Sequence, residues 1–160
     1  MKHLIPTLIL IILSSCTMKK PENTSIVKQD PVEIMAIKKV LDTQQECWNN
    51  GDIDGFMEGY WNSEELIFTS LNHKPAYGWE NTLERYKNSY PTKESMGNFN
   101  FEILELKLIS DKSARLKGKW ELIRKDDNPN GLFWLDLEKF EENWLITKDS
   151  TISFDIIIPA

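Results

Sequence analysis

Hydrophobic positions follow two different periods along the chain, and the change between them divides it into a helical half and a strand half. Ile34, Ile37, Leu41 and Trp48, with Val40 and Cys47 beside them, recur at the spacing of a one-faced helix. Asp30 predicts the N-cap of that helix, Pro31 suits its first turn, and Glu33 stands where a capping-box carboxylate reaches back. Asn50-Gly51 ends it, and Asp52 caps a short second helix with Ile53, Phe56, Met57 and Tyr60 on its inner face. Leu66 to Ser70 predicts a strand, which Asn72-His73-Lys74-Pro75 turns toward Ala76-Tyr77-Gly78. A third helix is predicted over Glu80 to Tyr90. There Leu83, Tyr86 and Tyr90 continue a face begun by Trp79, and Pro91 stops it.

From Phe99 the period becomes two. Phe99, Phe101 and Ile103 alternate, then Leu104, Leu106 and Leu108 alternate in the opposite phase, which predicts a β-bulge and a bent sheet. Ala114, Leu116, Gly118, Trp120 and Leu122 alternate with Arg115, Lys117, Lys119 and Glu121. After the polar loop Asp126 to Gly131, two further strands run over Leu132 to Phe140 and Trp144 to Ile152, around a turn at Glu141-Glu142-Asn143. Helices first and long antiparallel strands afterwards predict an α+β class, with helices packed on one face of a bent sheet. There is no internal repeat, and the pattern from 31 to 160 reads as one domain.

The first residues follow neither period. Lys2 and His3 precede an apolar run from Leu4 to Leu13, broken only by Pro6 and Thr7, and Leu13-Ser14-Ser15-Cys16 closes it. The run is far shorter than the ~20 apolar residues that span a bilayer, so residues 1–15 are predicted to be a signal peptide. Leu-Ser-Ser-Cys resembles the lipobox of bacterial lipoproteins, in which the cysteine is lipidated and becomes the mature N-terminus. An ordinary secretory signal that happens to adjoin a cysteine is the alternative. Residues 16–30 then read as the lipidated N-terminus at Cys16 followed by a polar tether, with Lys19-Lys20 placed near anionic headgroups. The resulting expectation is a bacterial cell-envelope protein, lipid-anchored to a membrane and facing the periplasm or exterior.

Charge and rare residues narrow the chemistry. The chain has 19 Lys+Arg against 25 Asp+Glu, and the signal removes Lys2 and no acid, leaving a mature balance of −7. Such a chain repels phosphate backbones, so nucleic acid is not expected as a partner. With Cys16 lipidated, Cys47 is the remaining thiol and reads as a small core residue. His73 is then the remaining histidine, in a proline-containing turn and expected to be exposed. No multi-histidine metal site, Cys-His pair or G-x-S-x-G nucleophile motif is present, and no metal or cofactor is expected.

An ordered set of residues carries a family resemblance. It comprises Trp48-Asn49-Asn50-Gly51-Asp52, Phe56-Met57 with Tyr60-Trp61, Tyr77-Gly78-Trp79, Arg85-Tyr86 leading to Tyr90-Pro91, Gly118-Lys119-Trp120, Gly131-Leu132-Phe133, and Trp144 before Asp149-Ser150-Thr151. From about residue 34 to 152 this resembles the nuclear transport factor 2-like (NTF2-like) superfamily, most closely its SnoaL-like and DUF4440 branch. The resemblance implies a cone, with three N-terminal helices packed on the concave face of a strongly bent, mainly antiparallel sheet, and a pocket between them. It implies no particular chemistry, because the fold hosts isomerases, dehydratases, hydrolases, binding modules and assembly domains. Where the family often ends its last strand Asp-His-Thr-Ser, this chain has Asp149-Ser150-Thr151-Ile152, so the histidine is missing.

Asp149 is the first candidate for chemistry. Strict alternation puts Leu145, Thr147, Asp149 and Thr151 on one face, with Trp144, Ile146, Ser150 and Ile152 on the other. Inside a cone, desolvation would raise the Asp149 pKa toward a general-base range; the alternative is a structural hydrogen bond at the sheet end. Ketosteroid-isomerase-like members of the superfamily use an aspartate base with tyrosine among the oxyanion donors. Those catalytic positions do not map residue by residue onto this chain; a tyrosine such as Tyr60 or Tyr86 is the candidate to polarise a carbonyl. Tyr60, Trp79, Tyr86, Tyr90, Trp120 and Thr151 form the candidate ligand wall, with plain core packing as the alternative and the expectation for Trp48 and Trp144. Asp136 alternates with Trp134 and Glu138 and suits a solvated face, while Arg85 could tilt to a pocket rim and favour a carboxylate.

Three readings follow. The first is a lipid-anchored envelope protein binding a small, partly apolar molecule in its cone. The second is an isomerase or dehydratase with Asp149 as base. The third is an assembly domain that forms a homodimer through its outer sheet face.

Overall fold

The computed structural model describes residues 28–71 and 73–154. The expected signal peptide, Cys16 and the tether up to residue 27 lie outside the described residues. No helix among the described residues is long and apolar enough to cross a membrane.

Helix α1 (Pro31–Asn49) starts on Asp30, whose side chain accepts from the Val32 N–H. The expected capping box does not form. The Glu33 carboxylate instead accepts from Lys139 Nζ at 2.8 Å and from the Trp144 indole at 2.7 Å, which ties the helix to the sheet. The first turn loses a local donor and gains a long-range, charge-assisted one. Helix α2 (Ile53–Met57) is capped by Asp52 and buries Ile53, Phe56 and Met57 as expected.

Strand β1 (Ile67–Ser70) pairs antiparallel with β2 (His73–Tyr77). The predicted turn around Pro75 is therefore shorter than expected, and Pro75 sits in an edge strand, where its missing N–H costs no ladder bond. Helix α3 (Trp79–Ser89) matches the predicted third helix to within a residue, and a one-turn helix α4 (Lys93–Met96) follows that the hydrophobic pattern did not predict. Its start is set by a capping box between Thr92 and Ser95 rather than by an apolar period.

Strands β3 (Asn98–Ser110), β4 (Ser113–Ile123), β5 (Asn130–Phe140) and β6 (Asn143–Ser153) are successive antiparallel neighbours. The sheet order is β2-β1-β6-β5-β4-β3, and β1 runs parallel to β6. The predicted bulge in β3 is present: Ile103 opposes Gly118 and Glu105 opposes Lys117, so Leu104 is the extra residue. A second bulge changes the reading of β6. Asp136 opposes Lys148 while Leu137 opposes Ile146, which leaves Thr147 unpaired. Trp144 and Ile146 therefore point to the same interior as Asp149, not to the opposite face as strict alternation required. One inserted residue reverses the phase of everything after it.

The core lies between the helices and one face of the sheet and contains Ile37, Leu41, Trp48, Phe56, Met57, Leu116, Leu135 and Ile146. The outer face is polar: Arg115 pairs with Asp136 at 3.0 Å and Lys119 with Glu102 at 2.9 Å. Asp136 thus sits on the solvated face its alternation predicted. The architecture is α+β as expected, four described helices on a six-stranded mixed sheet that is mostly antiparallel.

Candidate functional site

Asp149 occupies the middle of the sheet, opposite Leu135 of β5 and Phe68 of β1, and is 6% exposed. Tyr60 reaches it from the end of α2. The Tyr60 backbone is pinned to β6 by a parallel bridge to Ile146, with Trp61 N–H donating to the Ile146 carbonyl at 2.9 Å and Ile146 N–H to the Gly59 carbonyl at 3.0 Å. That anchor brings the Tyr60 hydroxyl to Asp149, where it donates to Oδ2 at 2.7 Å. Oδ1 is buried and has no hydrogen-bond partner among the described residues.

Burial pushes the Asp149 carboxyl from 3.8 up to about 7, against the opposing pull of the Tyr60 hydrogen bond. The Tyr86 hydroxyl lies 3.3 Å from that of Tyr60. A phenol has one proton, and with Tyr60 donating to Asp149 the proton between the two hydroxyls comes from Tyr86. The result is a donor chain, Tyr86 to Tyr60 to Asp149. Burial first and the Asp149 charge second hold the pKa values of both tyrosines well above the usual phenol range, so both keep their protons.

Asp149, Tyr60 and Tyr86 border a cavity of about 310 Å³ between the helices and the sheet. Its walls are largely aromatic, with Phe56, Phe68, Phe101, Trp120 and Phe133 among them. Gly118 makes room for this wall, since a Cβ there would lie 2.3 Å from Cζ of Phe133. Tyr90, Trp120 and Thr151 also line the cavity, as the sequence suggested. Trp79 does not. Its indole N–H is engaged by the Met57 carbonyl at 3.0 Å, and it packs behind the wall as a partly buried core residue.

The indoles supply ring surface and not hydrogen bonds. Trp48 donates to the Met96 carbonyl, Trp120 to the Ile152 carbonyl and Trp144 to Glu33. Thr151 donates to the Leu132 carbonyl at 3.2 Å. Trp48 and Trp144 are buried core residues, as anticipated, although Trp48 also touches the cavity. Cys47 is half-buried in α1, and burial pushes its thiol pKa up, away from nucleophilic use.

Sequence reasoning missed three lining residues of consequence. Arg124 follows the last residue of β4 and reaches the cavity, held by two 2.6 Å contacts to Asp127. His73, although exposed as expected, is also at the lining, and so is the buried Gln44 of α1. Gln44 lies on the α1 face of Ile37, Leu41 and Trp48, so its helical spacing was a usable signal. Nothing local marks Arg124, because the loop that turns it inward is irregular. No group of His, Cys, Asp and Glu suited to a metal ion occurs among the described residues.

An NTF-2 like protein of unknown function from Shewanella oneidensis MR-1 is 42% identical to this chain, over 75% of this chain and 98% of that one, with a TM-score of 0.72. The chain belongs to the NTF2-like family. A ketosteroid isomerase-like protein from Erwinia carotovora atroseptica SCRI1043 shares the fold at 17% identity, covering 81% of this chain and all of that one, with a TM-score of 0.66. So does a domain of unknown function with a cystatin-like fold from Nostoc punctiforme, at 16% identity over 77% of this chain and 78% of that one, also with a TM-score of 0.66. No family model matches the chain, and no curated protein does. This NTF2-like domain thus has a cavity whose polar end is Asp149 with two tyrosines and whose walls are aromatic.

Proposed function

We propose that the NTF2-like domain binds a small, partly apolar molecule in its cavity and that Cys16 anchors the protein in the cell envelope through lipid. The observation that carries the binding reading is Asp149, a buried carboxyl with an unpartnered oxygen at the border of an aromatic cavity. A buried acceptor that finds no donor among the described residues calls for one from a ligand. The ordered residues from Trp48 to Thr151 support the SnoaL-like and DUF4440 branch of the family, and the Leu13 to Cys16 box supports lipidation.

A bicyclic phenol such as 2-naphthol has the matching parts, a flat apolar body and one donor. It should raise the melting temperature of the full chain, and Trp120→Ala should remove the shift. No shift with 2-naphthol in the wild type would overturn the binding reading for this class of ligand. Cys16→Ser should release the protein from membranes; continued attachment would refute lipidation at Cys16.

A second reading is favoured by one specific observation, the Asp149 carboxyl at about 7. A base titrating there suits proton abstraction beside a carbonyl at neutral pH. Tyr60 is committed to Asp149, so it orients the carboxylate, and Tyr86 polarises the carbonyl by turning its one proton from Tyr60 to the substrate. A ketone with acidic C–H bonds, 2-tetralone, should then exchange hydrogen for deuterium faster than in buffer. Asp149→Asn should abolish the excess rate, and a rate no higher than buffer with the wild type would exclude the base role for this substrate class.

A further inference from the structure

The cavity lining carries a positive charge that the Asp149 cluster does not use. Arg85 of α3 and Arg124 after β4 both reach the lining. Tyr90 lines the same cavity; burial raises the pKa of its hydroxyl, and the charges of Arg124 and Arg85 act the other way. That hydroxyl makes no hydrogen bond among the described residues.

The two arginines differ in what balances them. Arg124 is matched by Asp127, with Nε on Oδ1 and Nη2 on Oδ2, and its Nη1 donates to the Ser95 carbonyl at 3.1 Å. Among the described residues no carboxylate lies within ion-pair distance of Arg85. Arg85 is half-buried and held on two sides. Nη1 donates to the Lys74 carbonyl at 2.9 Å, and the guanidinium carbon lies 4.9 Å from the centre of the Phe68 ring. A planar guanidinium fixed against an aromatic face, with donors still open, is pre-organised for a carboxylate. An unmatched charge beside low-dielectric walls gains most from a counter-charge at close range. The chain as a whole is acidic, at −6, so this attraction is local to the cavity and does not steer ligands from afar.

We propose that the ligand is an apolar monoanion whose carboxylate is taken by Arg85 and the Tyr90 hydroxyl, with Arg124 adding charge beside them. This rests on the ligand-binding reading and adds a chemical class to it. The apolar body lies along the aromatic walls, and a donor group on the ligand meets the Asp149 cluster. The site therefore selects an apolar molecule that carries both a carboxylate and a hydrogen-bond donor.

The test compares 6-hydroxy-2-naphthoate with its primary amide, which has nearly the same shape and no charge. Titration calorimetry on the full chain at pH 8 should show the carboxylate binding at least tenfold tighter than the amide. Raising the salt from 0.05 to ~0.5 M should narrow the gap, as screening requires. Arg85→Gln should bring the carboxylate down to near the amide's affinity and weaken the amide far less, while Arg85→Lys should keep part of the preference. Where Arg85→Gln fails to fold, the wild-type acid-to-amide ratio and its salt dependence carry the same test. Equal affinities for acid and amide, with 2-naphthol still bound, would overturn the anion site and leave the binding reading standing. Failure of all three compounds to bind would overturn both.

Discussion

Tyr60 donates a 2.7 Å hydrogen bond to Oδ2 of Asp149 across 89 residues of sequence, and the other carboxylate oxygen has no partner among the described residues. A carboxyl satisfied on one side only, in an aromatic interior, is more stable protonated than charged. The cavity takes its polar character from this pair together with Arg85 and Arg124, because the indoles around it already have acceptors inside the protein. Two consequences concern the pair directly, and two concern the framework that holds it.

Asp149 should make the protein less stable as pH rises. Its unfolded-state pKa is near 3.8 and its folded value about 7, so between these limits the native state binds the extra proton. Stability from this group is fully present below the unfolded value and is lost as pH climbs through 7, by roughly 4 kcal/mol at most. Urea melts of wild type and Asp149→Asn from pH 4.5 to 8 should show the variant without this decline and at least as stable as wild type at pH 8. A wild-type-minus-variant difference that does not change with pH would contradict the buried, protonated carboxyl.

Tyr60→Phe removes the hydrogen bond that holds the Asp149 pKa down. The carboxyl should then titrate above 7, observable as a shifted midpoint in carbon-13 spectra of the aspartate carboxyls. Above that pH the variant should lose about 1–3 kcal/mol, the cost of a charged acceptor left bare, and much less below it. Tyr86→Phe should move the midpoint far less, because Tyr86 reaches Asp149 through Tyr60.

Glu33 predicts the opposite pH dependence. Hydrogen bonds from Lys139 first and Trp144 second hold its pKa below the usual value. Its contribution is present above the unfolded pKa and disappears as pH falls through the lower folded value. Glu33→Gln should flatten the acid side of the stability curve and shift the Trp144 indole proton resonance. Asp149→Asn flattens the neutral side instead, so the two variants separate the two groups.

Gly131→Ala should damage the sheet beside the cavity. A Cβ at residue 131 would lie 1.8 Å from the Ile152 carbonyl oxygen and 2.8 Å from the Trp120 indole nitrogen. The Ile152 carbonyl accepts the Trp120 hydrogen bond, so pushing it away moves a cavity wall as well as a strand pair. A loss of about 1–3 kcal/mol is expected, together with weakened binding of 2-naphthol. Unchanged stability and binding would show that β5 and β6 can separate there without cost.

Local periodicity carried much of the architecture. Helices α1, α2 and α3, the bulge in β3 and the inward face of β4 were all legible, because each rests on neighbours three, four or two residues apart. Asp52 at its helix cap needed only local chemistry. Glu33 failed as a capping residue because its partners, Lys139 and Trp144, come from strands more than 100 residues away. Helix α4 escaped because one turn has no period to detect, and β2 because its proline reads as a turn when no edge strand is in view.

The candidate site divides along the same line. Asp149, Tyr60, Tyr86, Tyr90, Trp120 and Thr151 were nameable from residue type and predicted face, and the tertiary structure brings them to one cavity. Asp149 nevertheless arrives there by a route that strict alternation misread, since the bulge at Thr147 sets it on the side of Trp144 and Ile146. By itself the sequence determined the α+β class, the order of elements and the aromatic stock of the interior, all consequences of side-chain type and short-range spacing. Only the tertiary structure decided which hydroxyl meets Asp149, which indoles are already engaged, and that no carboxylate among the described residues pairs with Arg85. Those are distances between residues far apart in the chain, and they are set by strand register, the bulges and the packing of the helices on the sheet.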